Sequence, residues 1–114
     1  NQNEIQIQKN NIRYFLDVEK IEPMVKYIYN NRSDWNKTIN MIFDDPISIP
    51  KVLLIMEKAI GSVAKKRIVD GGLKYTISNK SFSKYKSKIF HNINDEGYTE
   101  MVIRKYVKLI NNVL

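Results

Sequence analysis

The one histidine of this chain, His91, carries its whole imidazole complement, and cysteine is absent. Without thiols there can be no disulfides, thiolate zinc sites, iron–sulfur clusters or cysteine nucleophile. His91 opens the polar stretch 91–97 and has no His-x-x-x-His partner, so it reads as a surface residue rather than a metal ligand or general base. Asp44 and Asp45 are adjacent aspartates, but the Glu-x-Lys that a nuclease would set beside them is missing, because Lys58 follows Glu57 directly. The pair reads as a helix stop. Gly61, Gly71, Gly72 and Gly97 are too scattered for a phosphate-cradling loop. The residues predict no enzyme, no metal and no cofactor.

What the chain does offer is cationic charge in one place. Its net charge is +7, with pI near 9.6. Residues 1–50 hold six Lys/Arg and seven Asp/Glu, and residues 92–114 hold three of each. Residues 51–91 hold ten basic side chains: Lys51, Lys58, Lys65, Lys66, Arg67, Lys74, Lys80, Lys84, Lys86 and Lys88. Only Glu57 and Asp70 oppose them there. Heavy use of Asn, Ile and Lys with two alanines suggests an AT-rich genome, but codon drift would spread lysine evenly. A cluster of this kind suits a polyanion, since neutralising phosphates releases their condensed counterions.

At 114 residues and 43% apolar composition the chain reads as one folded domain, 1–114. No apolar run approaches the length of a bilayer span. The opening Asn-Gln-Asn-Glu has no signal-peptide character and lacks an initiator Met, as an excerpt of a longer protein would. The absence of cysteine fits a reducing cytoplasm, and Asn-x-Ser/Thr matches at Asn31, Asn36 and Asn79 then count as chance.

The elements that must position the charges follow from periodicity and caps. Residues 4–8 alternate as Glu-Ile-Gln-Ile-Gln, and Ile12, Tyr14, Leu16 and Val18 alternate after a Lys9-Asn10-Asn11 turn, which predicts an N-terminal hairpin or two short strands over 1–18. A helix is expected over 18–30, capped by Asp17 with Pro23 in its first turn, burying Ile21, Met24, Val25 and Ile28. A second is expected over 35–43, capped by Ser33 or Asp34 and burying Trp35, Ile39, Ile42 and Phe43. Ser48 and Gly61 bracket a third, 49–60. Residues 65–69, the Asp70-Gly71-Gly72 turn and the alternating Leu73, Tyr75 and Ile77 predict a β-hairpin. Residues 81–90 fit a helix capped by Ser81 or a strand aligning Lys84, Lys86 and Lys88; the helix is preferred. The last helix, 98–113, carries Val102, Tyr106, Leu109, Ile110 and Val113 on one stripe.

Three helices followed by a basic glycine-turned hairpin resemble a winged helix-turn-helix domain over residues 20–80. The segment Val69-Asp70-Gly71-Gly72-Leu73-Lys74-Tyr75-Thr76-Ile77-Ser78 is similar to the wing and closing strand of small bacterial regulators and of plasmid and phage DNA-binding proteins, segregation and conjugative-transfer factors among them. The expected class is α+β, with a winged core, a short N-terminal hairpin and a C-terminal helical part, 81–114. The resemblance implies a recognition helix presenting Ser48, Lys51, Ile55 and Lys58 to the major groove, and a wing presenting Lys65, Lys66, Arg67 and Lys74. One departure is plain. The third helix is apolar nearly all round and offers no Arg, Asn or Gln, the best bidentate readers of base edges.

Duplex DNA is therefore the expected partner, with phosphate contacts from Lys65, Lys66, Arg67, Lys74 and Lys80 and further lysines at Lys84, Lys86 and Lys88. The processes implied are plasmid or phage maintenance, transfer or transcription control. A homodimer through Tyr98–Val113 is a second expectation, because that apolar stripe needs a partner, in its own core or in a second copy. The competing reading is an α-rich interaction module whose basic hairpin meets an acidic protein or a lipid surface. RNA binding, with Phe82, Tyr85 and Phe90 stacking bases, is the third.

Overall fold

The structure is a computed structural model that describes residues 4–113, with the Val113 side chain outside that description. Its elements run β1 (Ile5–Gln8), β2 (Ile12–Arg13), α1 (Ile21–Tyr29), β3 (Ile47–Ser48), α2 (Ile49–Ile60), β4 (Lys66–Val69), α3 (Ser83–Ile89) and α4 (Tyr98–Val113), with 3-10 turns at Val18–Lys20 and Arg32–Asp34. The class is α+β: four α-helices and two sheets of two strands each.

The caps behave as their chemistry dictates. Ser48 Oγ accepts the Lys51 N–H at 3.4 Å to open α2, and Gly61 closes it at φ 81°, a left-handed conformation that a side chain would disfavour. Asp17 accepts the Glu19 N–H and caps the 3-10 turn that leads into α1. Asp45 ends no helix. It caps one 54 residues away, its carboxylate accepting the Thr99 N–H at 2.9 Å and its carbonyl accepting the Thr99 hydroxyl.

Two apolar clusters form the core, and α4 joins them. Met24, Phe43, Phe82, Tyr85, Phe90, Tyr98 and Val102 make the first. Phe43 is stacked on Tyr98 at 4.3 Å and meets Phe82 and Phe90 edge-on. Ile47, Ile55, Ile103 and Val107 make the second, flanked by Phe15, Val52, Met56 and Ala59. Thus α2 packs its apolar side on α4.

Several expected elements are replaced. The basic segment does not fold back on itself as a hairpin: β4 pairs in parallel with β1, Ile5 opposite Lys66 and Gln8 opposite Val69. Gly71 and Gly72 do take the positive φ expected of them, 118° and 97°. Gly72 lies so close to Asn11 that a Cβ would fall 2.5 Å from its backbone nitrogen. The chain then runs extended past the N-terminal segment, with the Leu73 N–H donated to Asn11 Oδ1 and the Ile77 N–H to the Tyr14 hydroxyl. Two alternating segments compete for β4, and the N-terminal one prevails because it seats Ile7 in the core; Leu73 stays 77% exposed. Of the two N-terminal expectations, the two short strands form and the hairpin does not: β1 is taken by β4, and β2 pairs with β3, Ile12 opposite Ser48.

Residues 35–43 are not helical. Asn36 has φ 66°, and Asp34, one of the two expected caps, turns inward to other partners. The segment still delivers Ile42 and Phe43 to the core, but Trp35 stays outside at 45% exposure. On α1 the buried residue is Met24; Ile21 and Val25 face solvent. Helix α3 forms, but Ser81 does not cap it; its hydroxyl accepts the Asn40 N–H. The stripe of α4 is satisfied internally over Tyr98, Val102, Ile103 and Val107, whereas Leu109 and Ile110 remain exposed.

Candidate nucleic-acid interface

Of the ten basic side chains between residues 51 and 91, six are exposed and have no carboxylate partner among the described residues: Lys51, Lys58, Lys65, Lys74, Lys80 and Lys88. Lys51 and Lys58 share the outer face of α2 with exposed Leu54. Lys65 precedes β4, its carbonyl accepting the Ile5 N–H. Lys74 stands on the extended segment after Gly72, and Lys80 leads into α3.

The other four are engaged. Lys66 donates to both oxygens of Glu57, at 2.9 and 3.1 Å, and Glu57 is buried. The Lys66 hydrogen bond and the Ala64 N–H hold the Glu57 carboxyl below its usual range. Lys66 therefore locks β4 to the end of α2 and is withdrawn from phosphate binding. Arg67 is shared between Gln6 Oε1 at 3.3 Å and Glu4 at 3.7 Å, and its exposed guanidinium keeps donors for an anion. Lys84 and Lys86 pair with Asp34 and Asp95.

The reading helix needs correction at one position. Ile55 is buried, 4% exposed, against α4 and cannot meet a base edge. Ser48 Oγ accepts the Lys51 N–H in the α2 cap and keeps its own O–H to donate. The polar groups suited to base edges lie elsewhere: Gln6, Gln8, Asn11 and Arg13 border a groove of about 630 Å³ between β1 and α2.

Sequence reasoning missed two acidic hubs. Asp34 is buried and accepts from Tyr85 Oη at 2.8 Å, Lys84 Nζ at 3.1 Å and Lys37 Nζ at 3.3 Å. The Tyr85 hydrogen bond first, then that of Lys84, lowers its pKa, while burial and the Asp34 bond raise that of Tyr85. Asp17 gathers Lys105 at 2.7 Å, the Tyr106 hydroxyl and the Glu19 N–H. No sequence signal announces either, because the partners lie 51 and 88 residues away. Among the described residues there is no group of three His, Asp or Glu that could hold a metal ion, and no helix long and apolar enough to cross a membrane.

The chain matches no protein-family model, no curated protein and no solved structure.

Proposed function

We propose that this protein binds duplex DNA, gripping phosphates with Lys51, Lys58, Lys65, Arg67, Lys74 and Lys80. The observation that carries the reading is the concentration of exposed cations in residues 51–88, six of them lysines without a carboxylate partner among the described residues and one, Arg67, only loosely paired with Glu4 at 3.7 Å. The outer face of α2 takes the part that a recognition helix has in winged domains, and β4 with the extended segment behind it takes the part of the wing. Phosphate contacts dominate and base readout from α2 is thin, since its outward face offers lysines and Leu54. Plasmid or phage maintenance, transfer or transcription control are the processes such a protein would serve.

Two titrations of labelled duplex at different salt concentrations test this. Neutralising about five phosphates gives a log–log slope of roughly −4 to −5. Combined Lys51→Glu, Lys65→Glu and Lys74→Glu substitution flattens that slope to about −2 to −3 and removes most of the affinity; Lys66 is left alone because reversing it would set two acids together at Glu57. Salt-independent binding would overturn the reading.

One observation favours the interaction-module alternative. An apolar groove of about 400 Å³ runs between the segment 15–18, α2 and α4, bordered by Phe15, Val18, Met56, Tyr106 and Ile110. A protein held there would survive the same charge reversals.

A further inference from the structure

The structure assigns a second nucleic-acid contact, distinct from the basic surface of α2 and β4: a platform at Trp35 and Tyr29 that stacks an unpaired base of a single strand, with Arg32 and Lys37 taking the adjoining phosphates. It extends the nucleic-acid reading proposed above to a different form of the polymer.

A groove of about 430 Å³ lies at the end of α1, floored by Val25 and Ile28 and walled by Tyr29 and Trp35. The aromatic rings are 6.4 Å apart and tilted by 36°. They are also open: Tyr29 is 73% and Trp35 45% exposed. Exposed aromatics of this size forgo burial, and a pair beside a groove is the arrangement that base stacking uses. The indole is held in place, because its Nε1 donates to the Ile28 carbonyl at 2.8 Å. Arg32, outside the groove, rests its guanidinium 5.5 Å from the Trp35 ring centroid. A ring so fixed gives up little freedom when a base settles on it.

The charge around the groove suits phosphate. Lys37 and Lys84 both donate to Asp34 Oδ1, and that one carboxylate is almost fully buried. Two ammonium groups thus face a single anion, which leaves one positive charge in excess, and both lysine side chains are about half exposed. Arg32 adds a second. Asn36, held at φ 66° on the groove's edge, brings an amide that can donate and accept. Stack, amide and cations together make the set that a nucleotide requires. A duplex hides its base faces, so only a single strand can use it.

Trp35 is the only tryptophan, so its emission reports this site alone. The test titrates the protein with a short oligothymidylate, with an abasic strand of the same length and charge, and with duplex DNA. The expected result is quenching of Trp35 by oligothymidylate and none by the abasic strand. Trp35→Ala weakens oligothymidylate binding about 5- to 100-fold and leaves duplex binding unchanged. Tyr29→Ala, a more exposed position, weakens it in the same direction and serves should Trp35→Ala fail to fold. Equal affinity for the oligothymidylate and abasic strands, or binding with unchanged Trp35 emission, would overturn the platform while leaving the duplex reading standing. Quenching by oligothymidylate without any duplex binding would do the reverse. A blue shift on added anionic vesicles, with no emission change on any strand, would make the patch a lipid contact and overturn the platform; the duplex reading is judged by its own salt-dependent titration.

Discussion

The carboxylate of Asp17 is where the two ends of the chain meet. It is 3% exposed and accepts from Lys105, from the Tyr106 hydroxyl and from the Glu19 N–H, while the Asp17 N–H is donated to the Tyr98 hydroxyl at 2.9 Å. Burial by itself would raise its pKa, but the hydrogen bonds from Lys105, Tyr106 and Glu19 outweigh that and bring it from 3.8 to about 2. The sign follows: the unfolded chain binds this proton more readily, so the stabilisation is complete above about pH 4 and is lost as pH falls towards 2. Thermal melts followed by circular dichroism should show the midpoint dropping over that interval. Asp17→Asn should melt lower at pH 7 and lose part of the acid dependence; an unaltered acid limb would refute the assignment. Local chemistry made Asp17 legible as a cap. Its side-chain partners Lys105 and Tyr106 were not legible, because they lie 88 and 89 residues further on.

Helix α2 shows which kind of element a sequence discloses. Ser48 and Gly61 bracket it, and its bounds follow from cap chemistry alone. Its role does not, because an apolar helix could be buried whole or could expose two lysines. The structure shows the second, with Ile55 turned to α4 and Lys51 and Lys58 to solvent. Ile55→Ala should therefore cost about 2–5 kcal/mol of stability. Lys51→Ala should stay within about 0.5 kcal/mol while weakening DNA binding. Paired urea denaturation and DNA titration check both, and a stable Ile55→Ala variant with lost DNA affinity would return Ile55 to the reading face. Strand β4 is the contrasting case. Its alternation was readable but its partner was not, since Leu73, Tyr75 and Ile77 repeat the pattern that β1 uses. At the candidate interface the charged positions were legible from composition. Which of them are spent on Glu57, Asp34 and Asp95 was not, because ion pairing depends on tertiary placement.

The whole molecule is elongated, 54 × 34 × 23 Å with a radius of gyration of 17.0 Å; a compact chain of this length would have one of roughly 13 Å. Two small clusters replace a single large core, and α4 serves both, through Tyr98 and Val102 at one end and Ile103 and Val107 at the other. A chain ending before Tyr98 should accordingly lose cooperative melting altogether, which a thermal scan would show; a sharp transition in that fragment would mean that the clusters stand apart. The pairing of β1 with β4 has a consequence for how fast the protein folds. Ile5 finds Lys66, Asp45 finds Thr99 and Asp17 finds Lys105 only across long stretches of chain. β1 keeps an open edge until a strand some sixty residues further on reaches it, and α4 must close on elements from both halves of the chain. Closing such distant loops delays native contacts, so this protein folds more slowly than a helical bundle of the same length.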